Sequence, residues 1–484
     1  MNLLQIHPRD NVAVALSPLQ RGEENAREPI PSGHKMALTD IGTGAPVIKY
    51  GCVIGTATAP IQAGDWVHTH NMKTNLSARG SYSYEPTHCP APAVEPRSFQ
   101  GYLREDGRAA IRNELWILPT VGCVNGICQT LARANQTLVG GNIDGLYTFP
   151  HPFGCSQVGE DHARTRRLLA ALAQHPNAGG VLIVGLGCEN LTMEQLRAEL
   201  GTWDDRRVKF MVCQQEPDEL RTGAQLLRQL ADYASGFSRQ ALSAEKLVVG
   251  LKCGGSDGLS GLTANPTVGR FSDRLTAMGG ATILTEVPEM FGAEPILLNR
   301  CADAALFRRA AAMVDDFKQY YTDHHQPVYE NPSPGNKAGG ITTLEDKSCG
   351  CVQKGGSAPV VDVLPYGGQV KAAGLNLLSG PGNDLVSTTA LTAAGAHLIL
   401  FTTGRGTHFG APVPTLKISS NTALFQNKPR WIDFDAGGIA RGEEPEAVAR
   451  RLFDHVLRVA SGEKTCAEEN GFREISIFKS GVFL

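Results

Sequence analysis

The feature that most constrains the fold is a series of apolar runs, each ending in glycine and cysteine. The clearest is "GGVLIVGLGCEN", where the buried-strand pattern of residues 181–184 is followed by Gly185, Gly187 and Cys188. Similar runs lead to Cys123, Cys155 and Cys253. Helical patterns such as "EDHARTRRLLAALAQHP" lie between the runs. Strands that alternate with helices predict α/β domains built on mostly parallel sheets.

The domain organisation follows from length and from changes in pattern. A chain of 484 residues exceeds one compact core, so several domains are expected. Residues 1–76 place glycine among short β-forming runs and predict a small β-rich module. Residues 77–98 are polar and proline-bearing, which is typical of a linker. Two α/β domains are predicted after it, over residues 99–244 and 245–484.

Composition excludes several classes of function. A net charge of −3 gives no electrostatic reason to expect nucleic acid or an anionic membrane as partner. No apolar run reaches the roughly 18 residues of a membrane span. The start lacks a secretory pattern, so we expect a cytoplasmic protein whose 12 cysteines are thiols or metal ligands. "GLGCEN" has Asn190 where a dinucleotide fingerprint needs its third glycine, and no P-loop or GxSxG motif occurs.

The strand-tip cysteines are the candidate metal ligands. Because ligands bind at the carboxyl ends of parallel strands, we expect these cysteines to converge near Asp257. The predicted ligands are Cys155, Cys188 and Cys253. Any single cysteine is also compatible with simple core packing. The pair in "SCGCV" is too closely spaced for a usual zinc signature.

Polar residues in glycine-rich segments are the candidate catalytic and substrate-binding groups. In "WVHTHN", two histidines two residues apart share one side of an extended strand, although an exposed pair at a turn would look the same. A lysine whose pKa is lowered by burial is a competent base, and an arginine can bind a carboxylate through two hydrogen bonds. The predicted catalytic residues are His68, His70, Lys252, Asp257, Lys337 and Lys347. The predicted substrate-binding residues are Ser256, Asn336, Glu345 and Arg405.

Several long motifs resemble the altronate/galactarate dehydratase family, over nearly the whole chain. "GHKMALTDI" and "WVHTHN" are similar to its N-terminal SAF-type module, and "RNELWILPTVGCVNG" to its second domain. "CGGSDGLSGLTANPTVGRFSD", "TEVPEMFGAE" and "ENPSPGNKAGGITTLEDKS" are similar to its C-terminal domain. "HTHN", "RNELWILPTVGCVNG" and "TEVPEMFGAE" resemble the altronate branch most. His408 and Cys349 stand where the family pattern has proline and leucine.

This resemblance implies a hydro-lyase that converts D-altronate to 2-dehydro-3-deoxy-D-gluconate and water in bacterial hexuronate catabolism. It also implies stimulation by Fe²⁺, with Mn²⁺ as the alternative ion. Three alternatives stay open: another sugar acid such as galactarate, an iron–sulfur cluster on three strand-tip cysteines, and a carbohydrate-binding protein without catalysis. The expected partner is a small-molecule sugar acid, and homo-oligomerisation is left open.

Overall fold

Two small antiparallel sheets form the N-terminal module, as the short β-forming runs predict. The computed structural model describes residues 2–76 and 82–481 of the chain. The strands of the module are β1 (Leu3–Leu4), β2 (Val12–Ala15), β3 (Lys35–Ala37), β4 (Pro46–Lys49), β5 (Cys52–Ala57), β6 (Trp66–Val67) and β7 (Met72–Lys73). The sheet orders are β1-β2-β3-β6 and β4-β5-β7. Val47, Ile54 and Val67 are buried in its core.

The second region is the α/β domain that the sequence predicts. Its elements are β8 (Ser98–Leu103), β9 (Ala109–Ala110), β10 (Glu114–Pro119), α1 (Asn125–Ala134), β11 (Gly145–Thr148), α2 (Gly159–Ala173), β12 (Ala178–Gly185), α3 (Met193–Leu200), β13 (Val208–Val212), α4 (Glu219–Ser235) and β14 (Gln240–Ser243). Four strands form a parallel sheet in the order β11-β10-β12-β13. The entering strand β8 pairs antiparallel with the leaving strand β14.

A seven-stranded parallel sheet dominates the C-terminal region. Its strands are β15 (Val248–Cys253), β16 (Ala281–Leu284), β17 (Val360–Leu364), β18 (Gly374–Leu378), β19 (Leu398–Thr403), β20 (Thr415–Ser419) and β21 (Phe434–Asp435). The helices are α5 (Ala264–Ala277), α6 (Glu294–Leu298), α7 (Ala304–Asp323), α8 (Pro334–Ala338), α9 (Leu344–Cys351), α10 (Asp384–Ala393), α11 (Thr422–Asn427), α12 (Pro445–Ala460) and α13 (Cys466–Glu469). The strand order is β17-β18-β16-β15-β19-β20-β21. No helix in the described ranges has the length and apolarity needed to cross a bilayer.

The second and C-terminal domains share one apolar core. Side chains of α2 and β12 pack there against side chains of α10 and β19. At the edge of this core, His175 Nε2 lies 3.1 Å from the carbonyl of Ala396, and His397 Nδ1 accepts a 3.0 Å hydrogen bond from the Val248 amide. The two domains are therefore continuous through their packing.

The segment before β8 lies along the C-terminal domain. Residues 77–81 of the predicted linker fall outside the described residues, and residues 82–97 contain no helix or strand. Within the described part, the Tyr84 hydroxyl donates to the Cys301 carbonyl at 2.8 Å, and the Thr87 amide donates to Asn299. These contacts hold the segment against the C-terminal domain.

A buried carboxylate attaches the N-terminal module to the C-terminal domain. Asp346 of α9 accepts from Lys35 Nζ at 2.7 Å and from Lys49 Nζ at 3.0 Å, and all three side chains are almost inaccessible to solvent. Close backbone approach accompanies this pairing, since a Cβ on Gly258 would lie 1.9 Å from the Gly33 carbonyl oxygen. Only glycine therefore fits at position 258 with the module in this place.

Replacing Asp346 with Asn tests this attachment. The substitution leaves two buried ammonium groups without their counter-charge, so we expect the free energy of unfolding to fall by roughly 3–5 kcal/mol. Denaturant titration of the full chain measures this change. Asp106→Asn is the control, because Asp106 and its partner Arg108 are about half exposed. Equal stability of the two variants would show that Asp346 does not stabilise the attachment of the module.

Acid should weaken the packing between the second and C-terminal domains. Burial lowers the pKa of His397 to about 4, below the roughly 6.5 of an unfolded histidine. The unfolded chain therefore takes up the proton first, and stability falls as pH drops from about 6.5 towards 4. We expect a loss of about 2 kcal/mol from this residue at pH 5 relative to pH 7. His397→Gln should reduce the pH dependence by that amount, whereas the exposed control His88→Gln should leave it unchanged.

Candidate active site and metal centre

Neighbouring strands of the seven-stranded sheet bring buried charges together at their carboxyl ends. Lys252 and Cys253 end β15, and Glu286 and Glu289 follow the adjacent strand β16. Glu286 has a left-handed backbone, with φ of 69°, which costs free energy in a residue with a side chain. Its carboxylate accepts from the Cys253 amide at 3.0 Å. The turn after β16 is thus shaped to aim this carboxylate at the end of β15.

Lys252 is a fixed cation at the base of the site. Its ammonium pairs with Glu286 and, at 2.9 Å, with Asp384 at the start of α10. Burial by itself lowers the pKa of Lys252, but attraction to the two carboxylates outweighs it and raises the pKa above its usual value. The predicted catalytic role of Lys252 therefore cannot be that of a base, because the structure supplies buried anions beside it that keep it charged.

Two more lysines contact the cluster, one at its carboxylate and one at its thiol. Lys347 Nζ lies 2.8 Å from Glu289, and Lys354 Nζ lies 2.9 Å from Cys253 Sγ. Burial works against the charge of Lys347, yet the pKa is raised because Glu289 lies in contact. Lys347 therefore positions Glu289 and is unsuited to be a base.

Two thiols and one carboxylate face a common point between these lysines. Cys253 Sγ and Cys351 Sγ each lie 3.2 Å from Glu289 Oε2, and the two sulfur atoms lie 3.5 Å apart. The three ligand atoms fall within 4.8 Å of one another and all three residues are buried. Contact with Cys253 and burial raise the pKa of the Cys351 thiol.

The donor set and its charge fit a thiophilic divalent ion. Ferrous iron accepts thiolate and carboxylate ligands. With both thiols protonated, three lysines balance three carboxylates: Lys252, Lys347, Lys354, Glu286, Glu289 and Asp384. Exchange of the two thiol protons for one divalent ion preserves that balance. Cys253, Cys351 and Glu289 are therefore the residues that could hold such an ion.

The glycine-rich loop after β15 makes a polar rim beside this cluster. Asp257 accepts from Ser260 and Ser420, each at 2.8 Å, and a Cβ on Gly404 would lie 2.2 Å from its carboxyl carbon. The Ser256 hydroxyl is buried without a hydrogen-bond partner in the described part of the chain. A small cavity of ≈ 10 Å³ borders the two residues, which is room for about one water molecule.

Other predicted polar residues surround the same rim. The buried amide of Asn336 donates to the Ser256 carbonyl at 2.8 Å, and its oxygen faces Lys347 at 3.4 Å. Arg405 is exposed, with its guanidinium beside Gly335 and its amide donating to the Gly255 carbonyl at 2.9 Å. Asn336 thus connects the loop to the lysine cluster, while Arg405 faces outward.

The predicted histidine pair lies at a turn, because β6 ends at Val67. The expectation that His68 and His70 share one side of a strand is therefore wrong. His68 Nε2 lies 3.0 Å from the Lys337 carbonyl at the end of α8, and His70 is exposed with its ring against Trp66. Burial, helped by nearby Lys35, lowers the pKa of His68 to about 4, so its imidazole is neutral at pH 7.

Glu345 and Lys337 lie where the module meets the C-terminal domain. Both oxygens of the Glu345 carboxylate accept from the Thr74 hydroxyl, and one also accepts from the Asn75 amide at 2.7 Å. This occupied carboxylate attaches the module instead of facing a substrate. Lys337 is half-buried, and its ammonium makes no ion pair within residues 2–76 and 82–481.

The strand-tip cysteines do not converge on one site. Cys253 ends a strand of the seven-stranded sheet, whereas Cys123, Cys155 and Cys188 follow strands of the four-stranded sheet. Cys155 and Cys188 are exposed and stand outside the buried Cys253 group. The predicted ligand set of Cys155, Cys188 and Cys253 is therefore wrong as one site, since parallel strands gather their ends only within one sheet.

Sequence reasoning missed five residues of the cluster. They are Glu286, Glu289, Cys351, Lys354 and Asp384. The spacing in "SCGCV" was an available signal, because residues two apart on a helix face in nearly opposite directions. Cys351 accordingly faces Cys253, and Cys349 faces Cys52 of the module, whose pKa is lowered to about 7 by that contact.

The protein is a multidomain α/β protein with a β-rich module docked on it. At the strand ends of its C-terminal sheet lies a buried cluster of thiols, carboxylates and lysines that could hold a metal ion. Three family models match in succession: "Altronate/galactarate dehydratase SAF domain" over residues 1–75, "D-galactarate dehydratase/Altronate hydrolase, second domain" over 101–235, and "D-galactarate/Altronate dehydratase, C-terminal" over 244–483. The chain belongs to this altronate/galactarate dehydratase family.

Three curated relatives show where in the family the chain lies. It is 52% identical to altronate dehydratase of Escherichia coli K12 and 49% identical to altronate dehydratase of Bacillus subtilis 168, each over 100% of both chains. It is 32% identical to the L-threo-forming galactarate dehydratase of Escherichia coli K12, over 95% of this chain and 93% of the other. The higher identity lies with the altronate enzymes.

Cys351→Ser tests the ion-binding group. We expect the variant to bind about one ferrous ion per chain less than the parent protein after anaerobic loading, because one of the two thiol ligands is lost. Metal analysis after desalting measures the difference, and dehydration rate should fall with it. Cys466→Ser serves as the control, since that half-exposed thiol lies beside Pro429 and Ile432, outside the cluster. Full iron and full rate in Cys351→Ser would rule the group out.

Proposed function

We propose that this chain is an altronate dehydratase, a hydro-lyase that converts D-altronate to 2-dehydro-3-deoxy-D-gluconate and water. The observation that carries the proposal is identity of about half of all residues, over full length, to altronate dehydratases of two distant bacteria. The substrate is a small-molecule sugar acid. The buried lysine–carboxylate cluster and the polar rim supply the charged groups that such a reaction needs.

Dehydration requires removal of a weakly acidic proton at C2 and departure of hydroxide from C3. Ferrous iron, with manganese as the alternative, would supply Lewis-acid stabilisation of the developing negative charge. Cys253, Cys351 and Glu289 are the residues proposed to hold it. Lys252 and Lys354 stay cationic beside these ligands, and their fixed positive charges stabilise an anion in the site.

The exposed rim is proposed to bind and turn over the sugar acid. Arg405, which is exposed, is proposed to receive the carboxylate through two hydrogen bonds, whereas the Ser256 hydroxyl is buried and stays out of direct contact with the substrate. His70 and Lys337 are assigned the proton transfers at C2 and C3, because neither side chain has an ion pair or hydrogen bond in the described ranges. His68 is a positioning residue, since its ring nitrogens contact the Lys337 carbonyl and the Thr69 hydroxyl.

Substrate preference tests the proposed function. We expect kcat/KM for D-altronate to exceed that for galactarate by at least roughly tenfold, because the two acids differ in stereochemistry and in their second carboxylate. A 2-keto-acid assay with added ferrous iron and a reducing thiol measures both rates. Equal or faster turnover of galactarate would move the chain to the other branch of the family.

Lys337→Met tests the proposed proton-transfer role of Lys337 in the same assay, independently of which sugar acid the enzyme prefers. Loss of a proton-transfer group should lower kcat on altronate by roughly 10²–10⁴-fold while the folded state is kept. Lys371→Met, an exposed lysine of the same domain, is the matched control and should retain the parent rate. An unaltered kcat in Lys337→Met would remove this residue from the mechanism.

A further inference from the structure

Three exposed cysteines lie together at one edge of the second domain. Cys123, Cys155 and Cys188 follow β10, β11 and β12, which are hydrogen-bonded neighbours in the parallel sheet. Free cysteine is among the residues most often buried in proteins. Core packing therefore does not explain why each of three adjacent strand-end loops carries an exposed thiol.

The three loops are held to one another by their backbones. The Gly122 amide donates to the Phe153 carbonyl at 2.9 Å, and the Leu191 amide donates to the Gly154 carbonyl at 3.0 Å. Gly154 is in the left-handed region, and a Cβ there would lie 2.0 Å from the Thr120 carbonyl oxygen. The loops after β10 and β12 are thus both pinned against the loop after β11.

A buried carboxylate fixes the loop that carries Cys188. Glu189 accepts from the Thr120 hydroxyl at 2.7 Å and from the amides of Leu186 and Gly187, and it is 7% exposed. On the other side, Cys155 Sγ lies 3.6 Å from Asn190 Oδ1, two residues beyond Cys188. The loops that carry these thiols are therefore held in place by hydrogen bonds.

Within the part of the chain that the structure describes, the three thiols do not lie close enough to one another to ligate a single ion as they stand. Among the described residues, the group whose ligand atoms lie within 4.8 Å of one another is the one of Cys253, and it includes none of these three. Cysteines of an iron–sulfur cluster bind different iron atoms and therefore stand further apart than ligands of one ion.

We propose that Cys123, Cys155 and Cys188 ligate an iron–sulfur cluster of the [4Fe–4S] type, with one iron left without a cysteine ligand. This site is separate from the buried group of Cys253, Glu289 and Cys351. Assembly of the [4Fe–4S]²⁺ state needs two ferrous ions, two ferric ions, four sulfide ions and loss of the three thiol protons to solvent. The exposure of the thiols gives these components access. The cluster site is independent of which sugar acid the enzyme accepts.

Anaerobic reconstitution of the full chain with ferrous iron, ferric iron and sulfide tests the proposal. The parent protein should retain, after desalting, about four acid-labile sulfides per chain and the broad visible absorbance of a [4Fe–4S] cluster. Each of Cys123→Ser, Cys155→Ser and Cys188→Ser should lose most of the sulfide and absorbance. Because these side chains are exposed, the variants should keep the parent circular dichroism and melting temperature.

Two matched controls make the result specific. Cys89→Ser removes an exposed thiol outside the three loops, and Cys351→Ser removes a thiol of the buried group; both should keep the sulfide and the visible absorbance. Absence of acid-labile sulfide from the reconstituted parent protein would overturn the proposal, whatever iron the buried group of Cys253, Glu289 and Cys351 retains. Retention of sulfide and absorbance by all three loop variants would overturn it as well.

Discussion

One buried carboxylate sets the geometry of the active-site region. Asp346 is shared by Lys35 and Lys49 of the N-terminal module, and it belongs to the same short helix as Lys347 and Cys351. A helix of eight residues has little freedom once one face is fixed by two ion pairs. Its other face then presents an ammonium to Glu289 and a thiol to Cys253. Module docking and cluster assembly are therefore consequences of the same helix placement.

The sequence was a good guide to the fold because long apolar runs in parallel sheets leave few alternatives. The run at residues 181–184 lies inside β12, whose residues are all buried. The helical pattern "EDHARTRRLLAALAQHP" likewise lies over α2, which spans Gly159–Ala173. Those patterns are local, so neighbouring residues alone determine them.

The candidate site was less predictable because it depends on pairings distant in sequence. Cys253 and Cys351 are separated by 98 positions and meet only when α9 packs beside the end of β15. The direction of the Lys252 pKa shift likewise depends on Glu286 and Asp384, which the sequence does not place. Family motifs located the right segments, but they carried no information on which side chains face each other.

The antiparallel pairing of β8 with β14 gives the second domain both of its chain connections at one place. Gln240 pairs with Gly101 and Ser243 with Ser98, so the polypeptide enters and leaves side by side. Domains whose ends lie close together tolerate being inserted into other folds. In evolutionary terms, this layout allows the second domain to be gained as one inserted unit without rerouting the seven-stranded sheet, while the apolar core it shares with the C-terminal domain requires matching changes on both sides.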